Sequence, residues 1–415
     1  MASSTTKPVN VGLIGAGAIA RAHAIAYASV RAYCGPEVPP VRLRLLADAD
    51  EQLAQSAARR LGFEGWTTDW TEVVASPDVD LVSIATPNFL HAPMAIAAAN
   101  AGKHVFCEKP MATTAAEAQQ MWRAAEVARI AHGVNLNYRN VPALRYIARL
   151  VADGRIGAVR QFRAAYLQDW ANDLSIPRSW KFAAEGAGAG ALSGVGTHVI
   201  DLAHLLVGEI ERVVSTTEIW IKERPVPASP SSFARVEGEA EMAPVTTDDS
   251  AYFLARFASG AIGVFEISRC APGRKNHLSL EIHGSCGSIT YDYERPNEVK
   301  VCTAGGDDDL AGFRTVLIGP AQDTGALLAY PGVPVGFAET IVFQIRDLLS
   351  AIAGGPAMVP SFYDGWRAQV VVDAVLSSAD RGWVEVPRPP ACGAPAEVTR
   401  VGRHGSGKSA SDVDP

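Results

Sequence analysis

Cysteine is scarce in this chain. The 415 residues hold six (Cys34, Cys107, Cys270, Cys286, Cys302 and Cys392), no two of them close together and none in a C-x-x-C pair. That excludes a disulfide framework and a zinc ribbon, and fits reduced, mostly buried thiols in a cytoplasmic protein. No apolar run is long enough to span a bilayer, and the opening "MASSTTKPVN" lacks the apolar core of a signal peptide. Basic residues are neither abundant nor clustered. With 37 Lys and Arg against 44 Asp and Glu the formal charge is −7, which argues against nucleic acid or an anionic membrane as partner. Histidine, cysteine and aspartate never gather at ligand spacing, so no metal is expected. No internal repeat is present. What remains is the make-up of a soluble enzyme, 48% apolar and 20% charged, with enough chain for two domains.

The first third reads as a nucleotide-binding unit. A short apolar run, Val9 to Ile14, passes through Gly15-Ala16-Gly17-Ala18-Ile19-Ala20 into a helical pattern. This is G-x-G-x-x-A, with alanine in the third glycine's place. Gly15 allows the tight turn, Gly17 lets backbone approach a pyrophosphate, and Ala20 lets helix and strand pack closely. The helix N-terminus then offers unpaired N–H groups to the phosphates. The next strand, "VRLRLLAD", ends at Asp48, where a carboxylate would hold the adenosine ribose; "CGPEVPP" lengthens the loop before it. An acid there without an adjacent arginine favours NAD over NADP. Asp50 is a second candidate, with a helix N-cap as its plainer role. Further strand and helix patterns alternate as far as "AHGVNLNYR", which predicts a parallel, doubly wound sheet. Asp48, Thr86-Pro87-Asn88, Glu108-Lys109-Pro110 and Asn135 to Asn137 all fall at carboxyl ends of its strands, where ligands of such sheets bind.

From about Tyr138 the pattern changes. "AVRQFRAAYLQDW", "ERVVSTTEIWIK", "SAYFLARFASGAIGVFEISR", "HLSLEIHGSCGSITYDY" and "NEVKVCTA" read as strands, with turns at Ser259-Gly260 and Gly284 to Gly287. They predict an α+β half built on a large, mainly antiparallel open sheet. Two helical stretches near the end close the fold. The expected division is residues 1–137 for the Rossmann unit, 138–390 for substrate binding and oligomerisation, and 391–415 as a disordered Gly/Ser-rich tail. One segment, "GAGALSGVGTHVIDLAHLLVGEI", carries chemistry. His198 and Asp201 sit three residues apart on one helix, behind a glycine-rich approach.

Together, "GAGAIA", "ATPNFLH", "EKP", "NYR", "GTHVID" and "LVGEI" resemble, in that order, the Gfo/Idh/MocA oxidoreductases (glucose–fructose oxidoreductase, inositol dehydrogenase and their relatives) across residues 9–387. The resemblance implies a Rossmann domain followed by an α/β domain whose open sheet forms a homodimer or homotetramer. It implies NAD(P)-linked oxidation or reduction of a secondary alcohol on a sugar, inositol or related polyol. Lys109 matches the catalytic lysine, His198 the acid/base histidine, and Asp201 the carboxylate after it. Ala18, Ile19, Thr86, Pro87, Asn88, His91 and Glu108 join the glycines and Asp48 along the cofactor. Many members have an aspartate four residues before the histidine, where this chain has Gly194; Asp201, Asp169 or the substrate must then position His198.

The expected reaction is hydride transfer between a carbinol carbon and NAD, with His198 as general base and Lys109 stabilising the alkoxide. The substrate pocket is expected near "QDWANDLSIPRSWKF", where Trp170 and Trp180 could stack on a sugar face. Asp169, Arg178 and Lys181 could contact hydroxyls or a carboxylate. For each of these residues a core or solvated role is an equal alternative. Tyr138 and Arg139 are assigned to the domain junction. Two other readings stand beside this one: an enzyme that keeps NAD bound and recycles it while acting on glycosides, and a sensor that binds NAD without chemistry.

Overall fold

The computed structural model describes residues 7–227, 234–303, 311–322 and 335–388. The tail expected to be disordered lies outside them. The first half alternates β1 (Val9–Ile14), α1 (Ala18–Cys34), β2 (Val41–Ala47), α2 (Glu51–Leu61), β3 (Gly65–Thr67) and α3 (Trp70–Ala75). It continues with β4 (Leu81–Ile84), α4 (His91–Asn100), β5 (His104–Cys107), α5 (Ala115–Ala128) and β6 (His132–Val134). All six strands pair in parallel, in the order β3-β2-β1-β4-β5-β6. Every residue of β4 is buried, as are Val105 to Cys107 of β5, because helices cover both faces of a parallel sheet. Strand order reverses between β1 and β4, so the connections at their carboxyl ends part and leave a crevice.

The second half contains α6 (Pro142–Ala152), β7 (Val159–Leu167), α7 (Ala184–Ala187), α8 (Thr197–Leu206), β8 (Ile210–Glu218) and the short ribbon β9 (Glu223–Pro225) with β10 (Met242–Pro244). Then come β11 (Ser250–Phe257), β12 (Ile262–Ser268), β13 (His277–Gly284), β14 (Gly287–Asp292), β15 (Glu298–Thr303) and β16 (Arg314–Leu317). The described chain ends with α9 (Phe337–Ile352), α10 (Phe362–Ser378) and β17 (Val384–Glu385). Nine strands form one sheet in the order β16-β15-β14-β13-β7-β12-β11-β8-β17. The expected turns are present: Gly260, at φ +86°, sits between β11 and β12, and Gly284 to Gly287 connect β13 to β14. Alternation decides the faces. Ala251, Phe253, Ala255 and Phe257 of β11 point into the core, where Phe253 stacks on Phe265 at 4.2 Å, while Tyr252 and Leu254 point outward.

One pair in this sheet is parallel, β7 with β12, and the other pairs are antiparallel. The chain meets the requirement for a long crossover by running through α8, β8 and β11 before it returns. The last two helices join the halves. α9 packs back on α1, so that Ile341, Phe343, Ile345 and Leu348 share a core with Val9, Val11 and Tyr27 of the first half. α10 lies on α5, α8 and β8. Arg139, just before α6, is bidentate to Asp201 of α8 and also donates to Asp364 of α10 at 2.9 Å. These contacts tie α8 to α10 within the second half, and α10 in turn packs on α5 of the first.

Breaking a buried ion pair costs about 3–5 kcal/mol when the stranded charge cannot reach water. Arg139→Leu is therefore expected to lower the melting temperature measurably and to make unfolding in urea easier by an amount of that order. A variant that melts with the parent protein would show that the junction does not depend on this cation.

Candidate active site

The glycine loop is built for close approach. Gly15 has φ +102°, and a Cβ there would stand 2.5 Å from the Ala85 carbonyl oxygen. Gly17 is exposed, with nothing within 4 Å of a would-be Cβ, and Ala18 beside it is also exposed. Helix α1 begins there with no side-chain cap and no acid in its first turn. Its first N–H groups are thus left to an anion, which suits a pyrophosphate. Asp48 latches this loop to β2, accepting from Ala16 N–H (2.9 Å) and Asp50 N–H (3.0 Å). A carboxylate offers about four lone-pair sites, so room remains for ribose hydroxyls. Asp50 takes the plainer role: it caps α2 by accepting from Leu53 N–H at 2.9 Å.

Glu108 and Lys109 follow β5 and turn opposite ways. Glu108 points inward, 5% exposed, where His23 Nε2 lies 2.9 Å from Oε1 and Asn135 donates to the same oxygen. His23 comes from α1, and its Nδ1 is 3.0 Å from Ser83 Oγ of β4. Burial pushes the Glu108 carboxyl up, but His23, Lys109 and Asn135 together outweigh it and hold it below the usual range. Lys109 points the other way, into a cavity of ≈ 470 Å³ between the two halves, where Nζ donates to the Gly194 carbonyl at 2.8 Å. Burial lowers its pKa against the opposing pull of Glu108. His91 is not in the lining. Its ring spans the Thr86 and Pro110 carbonyls, 2.9 Å from each, tying the two loops together. Thr86 and Ile19 border the cavity, as does Asn88, whose amide crosses to the Ala187 carbonyl at 3.1 Å. Pro87 opens the short turn before α4.

His198 meets Lys109 across this cavity. One wide turn of π-helix, Leu192–Gly196, precedes α8 and brings both Gly194 and His198 to the wall. The imidazole is 4% exposed and lies edge-on to Tyr138, with ring centroids 4.7 Å apart. Burial first, then the charge of Lys109, hold its pKa well below the usual histidine range. Its Nδ1 is buried without a hydrogen-bond partner. Asp201, one of the three groups expected to position the ring, is not that partner: it is 2% exposed, outside the lining and taken up by Arg139. Burial raises its pKa to about 6 despite the guanidinium beside it.

Of the five substrate candidates in the segment from Asp169 to Lys181, Trp170, Trp180 and Lys181 border the cavity. The Lys181 ammonium lies 5.5 Å from the Trp170 ring and 5.7 Å from the Trp180 ring, and burial, then Lys109 and Arg269, lower its pKa to about 8. The other two do not reach the cavity. Asp169 accepts from Lys275 Nζ (2.7 Å) and Gly273 N–H on the outer side, and Arg178 donates to the Pro244 carbonyl. Their places are filled by Gln168, Asn276, Tyr138, Tyr166 and Arg269, which the sequence reading did not assign to the substrate. His23 was also overlooked, although Ala20, Ala24 and Tyr27 mark its face of α1 as the buried one.

The sequence pattern of the oxidoreductase family with an NAD-binding Rossmann fold matches residues 9–135, and that of the GFO/IDH/MocA C-terminal domain matches 144–290. Over 385 residues the chain is 44% identical to levoglucosan dehydrogenase of Pseudarthrobacter phenanthrenivorans, covering 92% of this chain and 98% of that one. A solved structure of levoglucosan dehydrogenase in complex with NADH and levoglucosan superposes with a TM-score of 0.86 at 42% identity, over 92% of this chain and 100% of the other. Its complex with NADH and L-sorbose gives 0.87 at 42% identity, over 91% and 99%. With those matches added to the glycine loop, the two sheets and the cavity between them, the chain belongs to the Gfo/Idh/MocA family and is an NAD-dependent oxidoreductase of its sugar dehydrogenases, acting on CH–OH groups.

Proposed function

We propose that the protein oxidises a secondary hydroxyl of a ring-form sugar or sugar derivative to the ketone, with Lys109 and His198 as the catalytic pair. The observation that carries this reading is that both side chains border one cavity with Ile19 and Thr86 from the cofactor side. NAD supplies the hydride acceptor when bound; the α1 N-terminus, Gly15, Gly17 and Asp48 are the groups to hold it. His198 removes the hydroxyl proton. Its depressed pKa keeps the ring neutral, the form that can take up a proton. Lys109 releases the Gly194 carbonyl and donates to the oxygen as negative charge develops on it. Glu108, held by His23 and Asn135, fixes where that amine starts from. Trp170 and Trp180 offer flat surfaces to the less polar faces of a sugar ring.

The direct test is NADH formation by purified protein with NAD and a panel of anhydrosugars, pyranoses, inositols and sugar acids. Lys109→Ala is expected to lower kcat by about 10²–10³-fold, the usual loss when one preorganised donor is removed, while NADH affinity changes little. His198→Asn is expected to lose roughly 10²–10⁴-fold in kcat/KM. If both variants keep wild-type rates, the pair has been wrongly assigned.

The pH profile gives a second check. A base works in its unprotonated form, and burial with Lys109 nearby pushes the His198 pKa down. The acid limb of kcat/KM is therefore expected below the ordinary histidine value of about 6.5. The alkaline limb, from loss of the Lys109 proton, is expected below the ordinary lysine value of about 10.4. An acid limb at or above the ordinary histidine value would rule out a base in this environment.

A further inference from the structure

The turn that leads to His198 has no start signal of its own. The π-turn Leu192–Gly196 opens without a side-chain cap from its own stretch and without an acid in its first turn. Buried N–H groups at the opening of a helix need acceptors from somewhere. Here they come from Asp248, in the loop before β11. One carboxylate oxygen of Asp248 accepts from Gly190 N–H (2.6 Å) and the other from Leu192 N–H (2.8 Å). Its carbonyl accepts from Ala191 N–H (2.9 Å), so three successive N–H groups end on one residue. The fit is close, since a Cβ on Gly190 would run into that carbonyl oxygen. Gly194 N–H donates in turn to the Gly190 carbonyl at 2.8 Å, and the π-turn grows directly from the anchored residues.

Asp248 is 5% exposed and does not border the cavity, whereas Ala189, Gly190, Ala191, Gly194 and His198 all do. Burial pushes its carboxyl up, against the pull of the Leu192 and Gly190 N–H groups and of Arg269. Its neighbours hold the adjoining wall: Thr246 N–H donates to the Phe182 carbonyl (3.0 Å), and the Thr247 hydroxyl to that of Lys181 (3.1 Å). A π-turn is rare and wider than an α-turn. Which of its residues face the cavity therefore depends on where it begins, and Asp248 fixes that point.

We propose that Asp248 is a positioning residue for the oxidation: by setting the start of the π-turn, it places the His198 imidazole and the Gly194 carbonyl that receives Lys109. This rests on the assignment of His198 and Lys109 above. Asparagine at this position keeps the shape but turns one acceptor into a donor, which then faces an N–H it cannot take. A misplacement of about 1 Å at the reacting atoms corresponds to roughly 10²-fold in rate.

The test follows kcat, KM and NADH affinity of Asp248→Asn on a sugar that the parent oxidises, alone and combined with His198→Asn. Thermal melting shows whether each variant is folded. Expected are a kcat lowered by about 10–100-fold and an NADH affinity close to the parent's. In the double variant the two losses should not multiply, because displacing an imidazole costs nothing once the imidazole is gone. Asp248→Glu keeps both acceptors on a longer stem, and is expected to be folded and slow. If Asp248→Asn, or Asp248→Glu where the asparagine variant does not fold, is as fast as the parent, the proposal falls. Losses that multiply in full, or failure of both variants to fold, give Asp248 a role in the fold alone and overturn it as well. If His198→Asn by itself keeps the parent's rate, or the parent oxidises no sugar, it is the catalytic reading that fails, and this proposal with it.

Discussion

The carboxylate of Glu108 is the fixed point of the site. It sits at the end of a buried strand, where an unpaired charge is costly, so His23 from α1 and Asn135 from beyond β6 must come to it. Ser83 of β4 then meets the other nitrogen of His23. One charge thereby registers the cofactor helix, two neighbouring strands and the loop after a third. The next residue inherits that order: with Glu108 held inward, Lys109 faces outward into the crevice. His91 repeats the device nearby, bridging the Thr86 and Pro110 carbonyls. Buried histidines are the brackets on which the loops of the crevice hang.

The second half supports its side of the cavity with a different device. Phe182 lies between two guanidinium groups, Arg224 at 4.1 Å and Arg269 at 4.5 Å from the ring centroid. Arg224 donates to the carbonyls of Ala171 and Asp173, and Arg269 to that of Lys181, so both ends of the Trp170 to Phe182 segment are held by long side chains. Asp249 neutralises Arg269 and also accepts from the backbone at Trp220 and Ile221. The segment is irregular, yet several of its N–H groups are paired, Ala171 to the Arg269 carbonyl and Arg178 to the Pro225 carbonyl among them. The position of this wall thus rests on two guanidinium groups and the carboxylate of Asp249.

The resemblance to levoglucosan dehydrogenase spans nearly the whole chain, so the frame is shared. One frame of this kind can host many substrates. Gly194 stands where the family resemblance implies an aspartate in many members. An open position next to the Lys109 amine changes both the volume and the charge there without altering the backbone.

Whatever is encoded by short stretches of chain was legible in the sequence. The glycine loop, Asp48 at the end of β2, Glu108-Lys109-Pro110 after β5, the parallel first sheet and the two glycine turns of the second follow from local spacing and alternation, which fix where a backbone turns and which side a residue faces. His198 was legible too, from a helix behind a glycine-rich approach. The fate of a side chain depends on what else arrives beside it. Three residues of helix put Asp201 near His198, but Arg139 from the turn before α6 claimed the carboxylate, because a desolvated acid goes to the strongest donor within reach. Asp169 turned outward instead, to the exposed amine of Lys275. Asn276 and Gln168 meet because β7 and β13 pair across more than a hundred residues, and α9 packs on α1 from the far end of the chain. Such partnerships leave no local trace. The sequence determined which backbone would carry the chemistry, and tertiary packing decided which charges were left to perform it, since a charge becomes available only when no buried partner has taken it.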